Sequence, residues 1–219
     1  MIRGAIFDID GVILDTMAVW RELGSRYLAR FGIAAEKDLN KTLFSMSMEQ
    51  GAEYLKQKYR PKTDAGEILE DIKKMLEEFY FCEAEEKAGA RELLALLHGA
   101  GVPVAAATSS PRTHVIRALE RLGLSGYFSA VFTTAEVGES KHSPQIYIDA
   151  ARYLGTEPGE TLVFEDSLYA LKTAADAGFY AVGVYDPYGE SGREELKKCG
   201  RAYLESLADF KNIWETIDR

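Results

Sequence analysis

The chain has 219 residues, 47% of them hydrophobic and 28% charged, which is long and apolar enough to bury a sizeable core and excludes both a disordered chain and a membrane protein. A formal net charge of −9 argues against nucleic acid and against anionic membrane as partners, since both select a basic face. Two cysteines, Cys82 and Cys199, far apart and matching no paired metal-ligand spacing, fit a reducing cytoplasmic setting and read as buried thiols.

The N-terminal apolar run ends at Asp8, too soon for the hydrophobic region of a signal peptide, and no later stretch has the length of a membrane span. Ala5-Ile6-Phe7 reads as a strand buried on both faces, being continuously apolar rather than alternating. The residues after it, Asp8-Ile9-Asp10-Gly11, deliver two carboxylates and then a glycine.

From Thr16 to Cys82 the pattern is helical throughout, with helices expected over Met17 to Phe31, Leu39 to Phe44, Met48 to Lys58 and Ala65 to Phe79. The basic run Lys56, Lys58, Arg60 and Lys62 inside it reads as solvated surface. Beyond Cys82, helical patterns alternate with apolar runs. The strands are expected at Val102 to Ala107, Ala130 to Thr133, Thr161 to Phe164 and Tyr180 to Val184, with an edge strand near Ala202 to Leu204. The helices are expected over Ala88 to Gly99, Arg112 to Leu122, Gln145 to Leu154 and Leu168 to Ala177. This alternation predicts an α/β fold with a doubly wound, Rossmann-like parallel sheet. The domain expectation is a core of residues 1–15 and 83–219, with a helical insertion at 16–82.

Turn chemistry supports these boundaries. Gly99, Gly101, Gly123, Gly155 and Gly178 fall where helices should stop, and Ser110-Pro111 and Ser143-Pro144 resemble a capping hydroxyl followed by a proline at the first helical position.

The chemistry-bearing residues all follow strands, where an open parallel sheet gathers its ligands. Asp8 and Asp10, two apart, can face one site. Two bare carboxylates about 4 Å apart would repel by up to about 4 kcal/mol at an effective dielectric of about 20, so the pair calls for a cation. Thr108-Ser109-Ser110 offers hydroxyls and a helix start suited to phosphate, Lys141 a positive charge, and Glu165-Asp166-Ser167 two further acids. Carboxylates suit a hard ion such as Mg²⁺. Singly, each feature is as well explained by a turn, a cap or a solvated side chain; four in succession are not.

Taken together, Asp8-x-Asp10-Gly11-Val12-x-x-Asp15, Thr108-Ser109-Ser110, Lys141-x-x-Pro144 and Glu165-Asp166-Ser167 resemble the four motifs of the haloacid dehalogenase superfamily, in its β-phosphoglucomutase-like branch with a helical cap after the first motif. The resemblance implies phosphoryl transfer from a small phosphorylated metabolite. Asp8 would attack phosphorus and Asp10 would serve as general acid, then base. Mg²⁺ would be held by Asp8, the Asp10 carbonyl and Asp166, with Glu165 acting through water. Thr108, the backbone at Ser109, and Lys141 would hold the phosphoryl oxygens, and Asp15 would fix the turn. The hinge between core and cap is expected near Asp15 to Met17 and Cys82 to Lys87.

The chain also departs from the family pattern. The loop before Lys141 has two extra residues, placing His142 beside the lysine, and Gln145 replaces the usual aspartate. Trp20 stands where the branch's mutases carry a histidine, and Met48 where they carry a substrate-binding arginine. A phosphatase is therefore expected over a mutase, and a non-catalytic phospholigand sensor is the remaining alternative. Met17, Trp20, Met46 and Met48 form a candidate apolar wall of the cap, though helix-interface packing explains them equally well.

Overall fold

A strand flanked by neighbours on both edges and covered on both faces has no place for a polar side chain, and β1 (Gly4–Phe7) is buried along its whole length. The computed structural model describes residues 1–44, 46–188 and 192–217. After β1 come α1 (Met17–Ala29), α2 (Leu39–Phe44), α3 (Met48–Tyr59), α4 (Ala65–Cys82) and α5 (Ala90–Gly99). They are followed by β2 (Val104–Thr108), α6 (Arg112–Arg121), β3 (Phe128–Thr133), α7 (Thr134–Val137) and α8 (Gln145–Leu154). The chain closes with β4 (Thr161–Glu165), α9 (Leu168–Asp176), β5 (Tyr180–Val184), α10 (Arg193–Cys199), β6 (Ala202–Leu204) and α11 (Phe210–Ile217). Two compact units result, Met1–Asp15 with Ala84–Arg219, and Thr16–Glu83. No helix among the described residues is long and apolar enough to cross a membrane.

In the first unit the strands pair in parallel in the order β3-β2-β1-β4-β5-β6, the expected doubly wound α/β sheet. The order reverses between β1 and β4, and the crevice beyond the carboxyl ends of those strands is where such a sheet binds ligands. Register sorts the core into two faces. Ile6 lies opposite Ala105 and Val163, and Val163 opposite Ala181; this row packs on Ile146, Tyr147 and Ala150 of α8 and on Leu171 and Ala174 of α9. One residue on, Phe7 lies opposite Phe164, their rings stacked at 4.2 Å, and Phe210 of α11 meets Phe164 edge-on at 5.2 Å.

The second unit packs α1 to α4 around Tyr27, Leu28, Leu55, Ile68 and Ile72. At Gly24 the two first helices come so close that a Cβ would lie 2.1 Å from Leu43 Cδ1. Ser47 and Gln50 close a capping box on α3, and Asp64 caps α4 by accepting from the Gly66 N–H. Of the basic run, Arg60 is only partly solvated: it donates to the Tyr27 hydroxyl at 2.6 Å and lies 3.6 Å over the Phe31 ring.

Several expectations are corrected. Gly101, Gly123, Gly155 and Gly178 adopt positive φ, but Gly99 is the last residue of α5 and does not. Pro111 and Pro144 occupy the capping position itself, one residue before the first helical turn, and Ser143 accepts the Gln145 N–H at 3.3 Å. Cys82 is exposed and Cys199 half-buried, because each ends a helix where the chain returns to solvent. α10 and α11 lie beyond the expected elements.

Candidate active site

The ladder of β1 runs one residue past the strand, with the Asp8 N–H donating to the Phe164 carbonyl at 3.0 Å. By strand alternation the Asp8 side chain shares the Ile6 face, above α8. The chain then coils: the Ile9 carbonyl accepts from the Ile13 and Leu14 N–H groups at 2.9 and 2.8 Å, and Gly11 takes φ +78°. Val12, Ile13 and Leu14 are fully buried, so the turn is pinned by apolar side chains. Asp15 is exposed, and its N–H donates to the Glu85 carbonyl.

Across the switch point, Glu165 ends β4 with no exposed surface and Asp166 follows, 5% exposed. The buried Lys141 ammonium donates to Asp8 Oδ1 at 2.7 Å and to Glu165 Oε1 at 2.8 Å, and the Tyr147 hydroxyl donates to the same Glu165 oxygen at 2.7 Å. Burial, the largest influence on each carboxyl, raises Asp8 and Glu165 above the usual carboxylate range and lifts Asp166 to about 7, while Lys141 pulls all three back down. Burial presses the other way on Lys141, but Asp8 and Glu165 outweigh it and hold the ammonium above its ordinary value. Three buried acids thus share one cation.

Asp10, two residues on, adds its charge to those that raise Asp8. Asp10 is half-buried, and its Oδ2 accepts from the Ser110 hydroxyl at 2.6 Å, so the serine expected to cap α6 donates to a carboxylate. Thr108, at the end of β2, accepts from the Ser110 N–H at 3.0 Å and tightens the turn, leaving Ser109 exposed at its corner. Hydrogen bonds and ion pairs thus tie Lys141 to Asp8 and Glu165, with Asp166 beside them, and tie Ser110 to Asp10 and Thr108. His142 is exposed and stacks on Tyr169 at 4.5 Å.

Three residues outside the motifs belong to the surroundings. Tyr147 braces Glu165; its place six residues after Lys141, on the sheet-facing side of α8, is the one available sequence signal. Lys87 and Asp186 form an ion pair at 2.7 Å near the Gly11 turn, and nothing in the sequence links residues so far apart.

Among the cap candidates, Trp20, Met46 and Met48 line a cavity of ≈ 180 Å³ within the helical unit, together with Leu43, Leu55 and Ile72; Met17 is not among its lining residues. Trp20 is fixed by its indole N–H, which donates to the Tyr80 hydroxyl at 2.9 Å.

The acidic cluster suits a divalent cation. One oxygen from each of Asp8, Glu165 and Asp166 lies within 4.8 Å of the others, and Glu165 Oε2 is buried with no hydrogen-bond partner. An all-oxygen set with surplus negative charge fits a hard ion such as Mg²⁺, which keeps several waters when bound. The unsatisfied Glu165 oxygen is a ready acceptor for such a water.

Comparison with known proteins agrees with this geometry. Residues 2–178 match the family model for haloacid dehalogenase-like hydrolases. A phosphorylated carbohydrates phosphatase of Thermotoga maritima is 30% identical over 98% of this chain and 99% of its own length. A fructose-1-phosphate phosphatase of Escherichia coli is 30% identical over 83% of this chain and 95% of its own. Among solved structures, a Thermotoga maritima protein described as a candidate β-phosphoglucomutase superposes with a TM-score of 0.86 at 24% identity, covering 99% of this chain and 100% of that one. The β-phosphoglucomutase of Clostridium difficile superposes with a TM-score of 0.70 at 22% identity, over 100% and 98%. The sheet order, the strand-end acids and the matched family model lead to one assignment: the chain belongs to the haloacid dehalogenase-like hydrolase family.

Proposed function

We propose that this hydrolase is a Mg²⁺-dependent phosphatase of a small phosphorylated metabolite, acting through an aspartyl-phosphate on Asp8. The observation that carries the reading is the convergence of Asp8, Lys141, Glu165 and Asp166 at the β1/β4 switch point, with Asp10 bonded to Ser110. Asp8, at the tip of a rigid buried strand, is the nucleophile. Splitting one displacement into two lets a single second acid serve both halves: Asp10 protonates the leaving oxygen, then takes a proton from the attacking water. Ser110 keeps the Asp10 carboxylate aimed.

Asp8, Asp166 and the Asp10 carbonyl would hold Mg²⁺, with Glu165 reaching it through water. When bound, the ion neutralises phosphoryl charge. Lys141, Thr108 and the backbone at Ser109 receive the phosphoryl oxygens. Lys141 already faces Asp8, so an incoming phosphoryl oxygen meets a cation whose own charge is secured by Glu165.

The activities of the relatives, on phosphorylated carbohydrates and on fructose 1-phosphate, support a sugar or polyol phosphate as the substrate class. We extend the reading to residues 16–83 as a cap domain whose apolar cavity selects the leaving group, and to a cytoplasmic setting. The mutase alternative draws on the β-phosphoglucomutases among the fold neighbours; Trp20 and Met48 stand against it. A panel of phosphorylated metabolites assayed for phosphate and for isomer, with Mg²⁺ and with chelator, separates the readings. Phosphate release that chelator stops is the expected result; isomer formation with little free phosphate overturns it.

A further inference from the structure

The turn that presents Asp10 has a second anchor. A lysine ammonium carries three protons, and Lys87 spends all three within the first unit: on the Gly11 carbonyl, on the Tyr185 carbonyl at 2.8 Å and on Asp186 Oδ2 at 2.7 Å. The Asp186 side chain is wholly buried, and its other oxygen accepts from the Tyr188 N–H at 2.8 Å, so the acid cannot swing away. The backbone of Lys87 is fixed as well. Its N–H donates to the Ile13 carbonyl at 2.8 Å, and the preceding Glu86 pairs antiparallel with Leu14. Residues 85–87 thus run along the coil that follows Asp10.

A buried ion pair adds little net stability once desolvation is counted. What this one supplies is direction. Gly11, at φ +78°, is the softest link of the coil, because glycine turns through conformations closed to other residues. Its carbonyl is gripped by a cation that is itself tied to the end of β5, and its N–H donates to the Leu14 carbonyl at 2.9 Å, so the peptide groups on either side of Gly11 are each bonded in one orientation. One of them carries the Asp10 carbonyl, and Asp10 itself precedes it.

We propose that Lys87 is a positioning residue for phosphoryl transfer: through the Gly11 carbonyl, with Asp186 and Tyr185 as its base, it keeps the Asp10 carboxylate and carbonyl aimed at the site. Lys87 touches no reacting atom. The inference rests on the role proposed above for Asp10, and it adds a residue outside the four motifs.

The test uses the full chain as Lys87→Met, Lys87→Arg and Asp186→Asn, assayed on a sugar phosphate well below each variant's Tm. Displacing a catalytic group by a fraction of an ångström to an ångström costs about 10- to 100-fold in rate, so Lys87→Met is expected to lose about that much in kcat with KM within about threefold of wild type. Lys87→Arg, which keeps the charge, is expected to recover part of it. The second readout is hydrogen exchange at the bonded amides of Gly11 to Leu14, expected to quicken in Lys87→Met while β2 and β4 stay protected.

A folded Lys87→Met that keeps kcat within about twofold and exchange unchanged overturns the proposal, as does a loss of activity that only follows the folded fraction. Should Lys87→Met fail to fold, Asp186→Asn carries the same two readouts, with a smaller expected fall of about 3- to 10-fold. A wild-type chain that releases no phosphate, or an Asp8→Asn that releases it unimpaired, fails the phosphatase reading instead, and exchange at Gly11 to Leu14 then decides whether Lys87 holds the turn.

Discussion

The strand ends of the sheet and the cavity of the helical unit are built from opposite materials. At the strand ends, Asp8, Lys141, Glu165 and Asp166 are buried ionisable groups; Lys141 is bonded to Asp8 at 2.7 Å and to Glu165 at 2.8 Å, and Asp166 lies beside them. The helical cavity is lined by Trp20, Leu43, Met46, Met48, Leu55 and Ile72, with Arg21, Asn40 and Ser47 among its polar lining, and its apolar contacts are non-directional apart from the Trp20 indole bond. A change at the first leaves an uncompensated buried charge; a change at the second alters a volume. Chemistry is therefore expected to be brittle in this molecule, and selectivity adjustable.

The sharpest way to break the contrast is Lys141→Met, which leaves three facing acids without their ammonium. Losing one partner of a buried charge cluster costs about 3–5 kcal/mol, so denaturant unfolding should show a loss of that order, partly restored by Mg²⁺. Gly24→Ala probes the other unit. Its Cβ would meet Leu43 Cδ1 at 2.1 Å, and overpacking of this kind costs about 1–3 kcal/mol of unfolding free energy, read by denaturant unfolding.

pH gives a third handle, of similar or smaller size. The folded-state pKa of Asp166, about 7, lies above its unfolded value, so the metal-free protein is favoured by the protonated acid: that stability is fully present below about pH 4 and is lost as pH rises through about 7. In chelator, the Asp166 contribution should lower the unfolding free energy from pH 5 to pH 8 by on the order of a few kcal/mol, with Tm falling accordingly. Mg²⁺ should flatten or reverse that slope, since it binds the ionised form. Asp166→Asn should remove most of the slope; an unchanged slope would assign it to other groups.

The smallest effect belongs to the cavity. Met48→Ala should shift relative kcat/KM among sugar phosphates by about 10-fold or less, because a few methylenes discriminate weakly, with little change on a small aryl phosphate.

Much of the placement of the candidate site was legible because strand ends announce themselves: a continuous apolar run that stops at Asp8, Thr108 or Glu165 places those side chains at the carboxyl edge of a parallel sheet. The partners of those residues were not. Ser110 before Pro111 carries the local signature of a cap, and only the fold shows Asp10 within its reach. Lys87 and Asp186 are brought together by a pairing of residues 85–87 with the first coil that no local pattern encodes. α11 was legible in principle, since Phe210, Ile213, Trp214 and Ile217 repeat at a helical period. Which unit the short C-terminal helix covers was not, because Phe164 presents its ring to Phe210 only once the sheet register is set.

The central claim is that Asp8 attacks phosphorus. Its most direct test is phosphate release by Asp8→Asn beside wild type, in excess Mg²⁺, on the best substrate of the panel. The carboxamide keeps the shape of the side chain and leaves Lys141 bonded to Glu165, so the variant should fold with a Tm at or above wild type in chelator. Its turnover should fall by at least about 10³-fold, as expected for loss of a covalent nucleophile. A folded Asp8→Asn that releases phosphate within about tenfold of the wild-type rate would contradict the account.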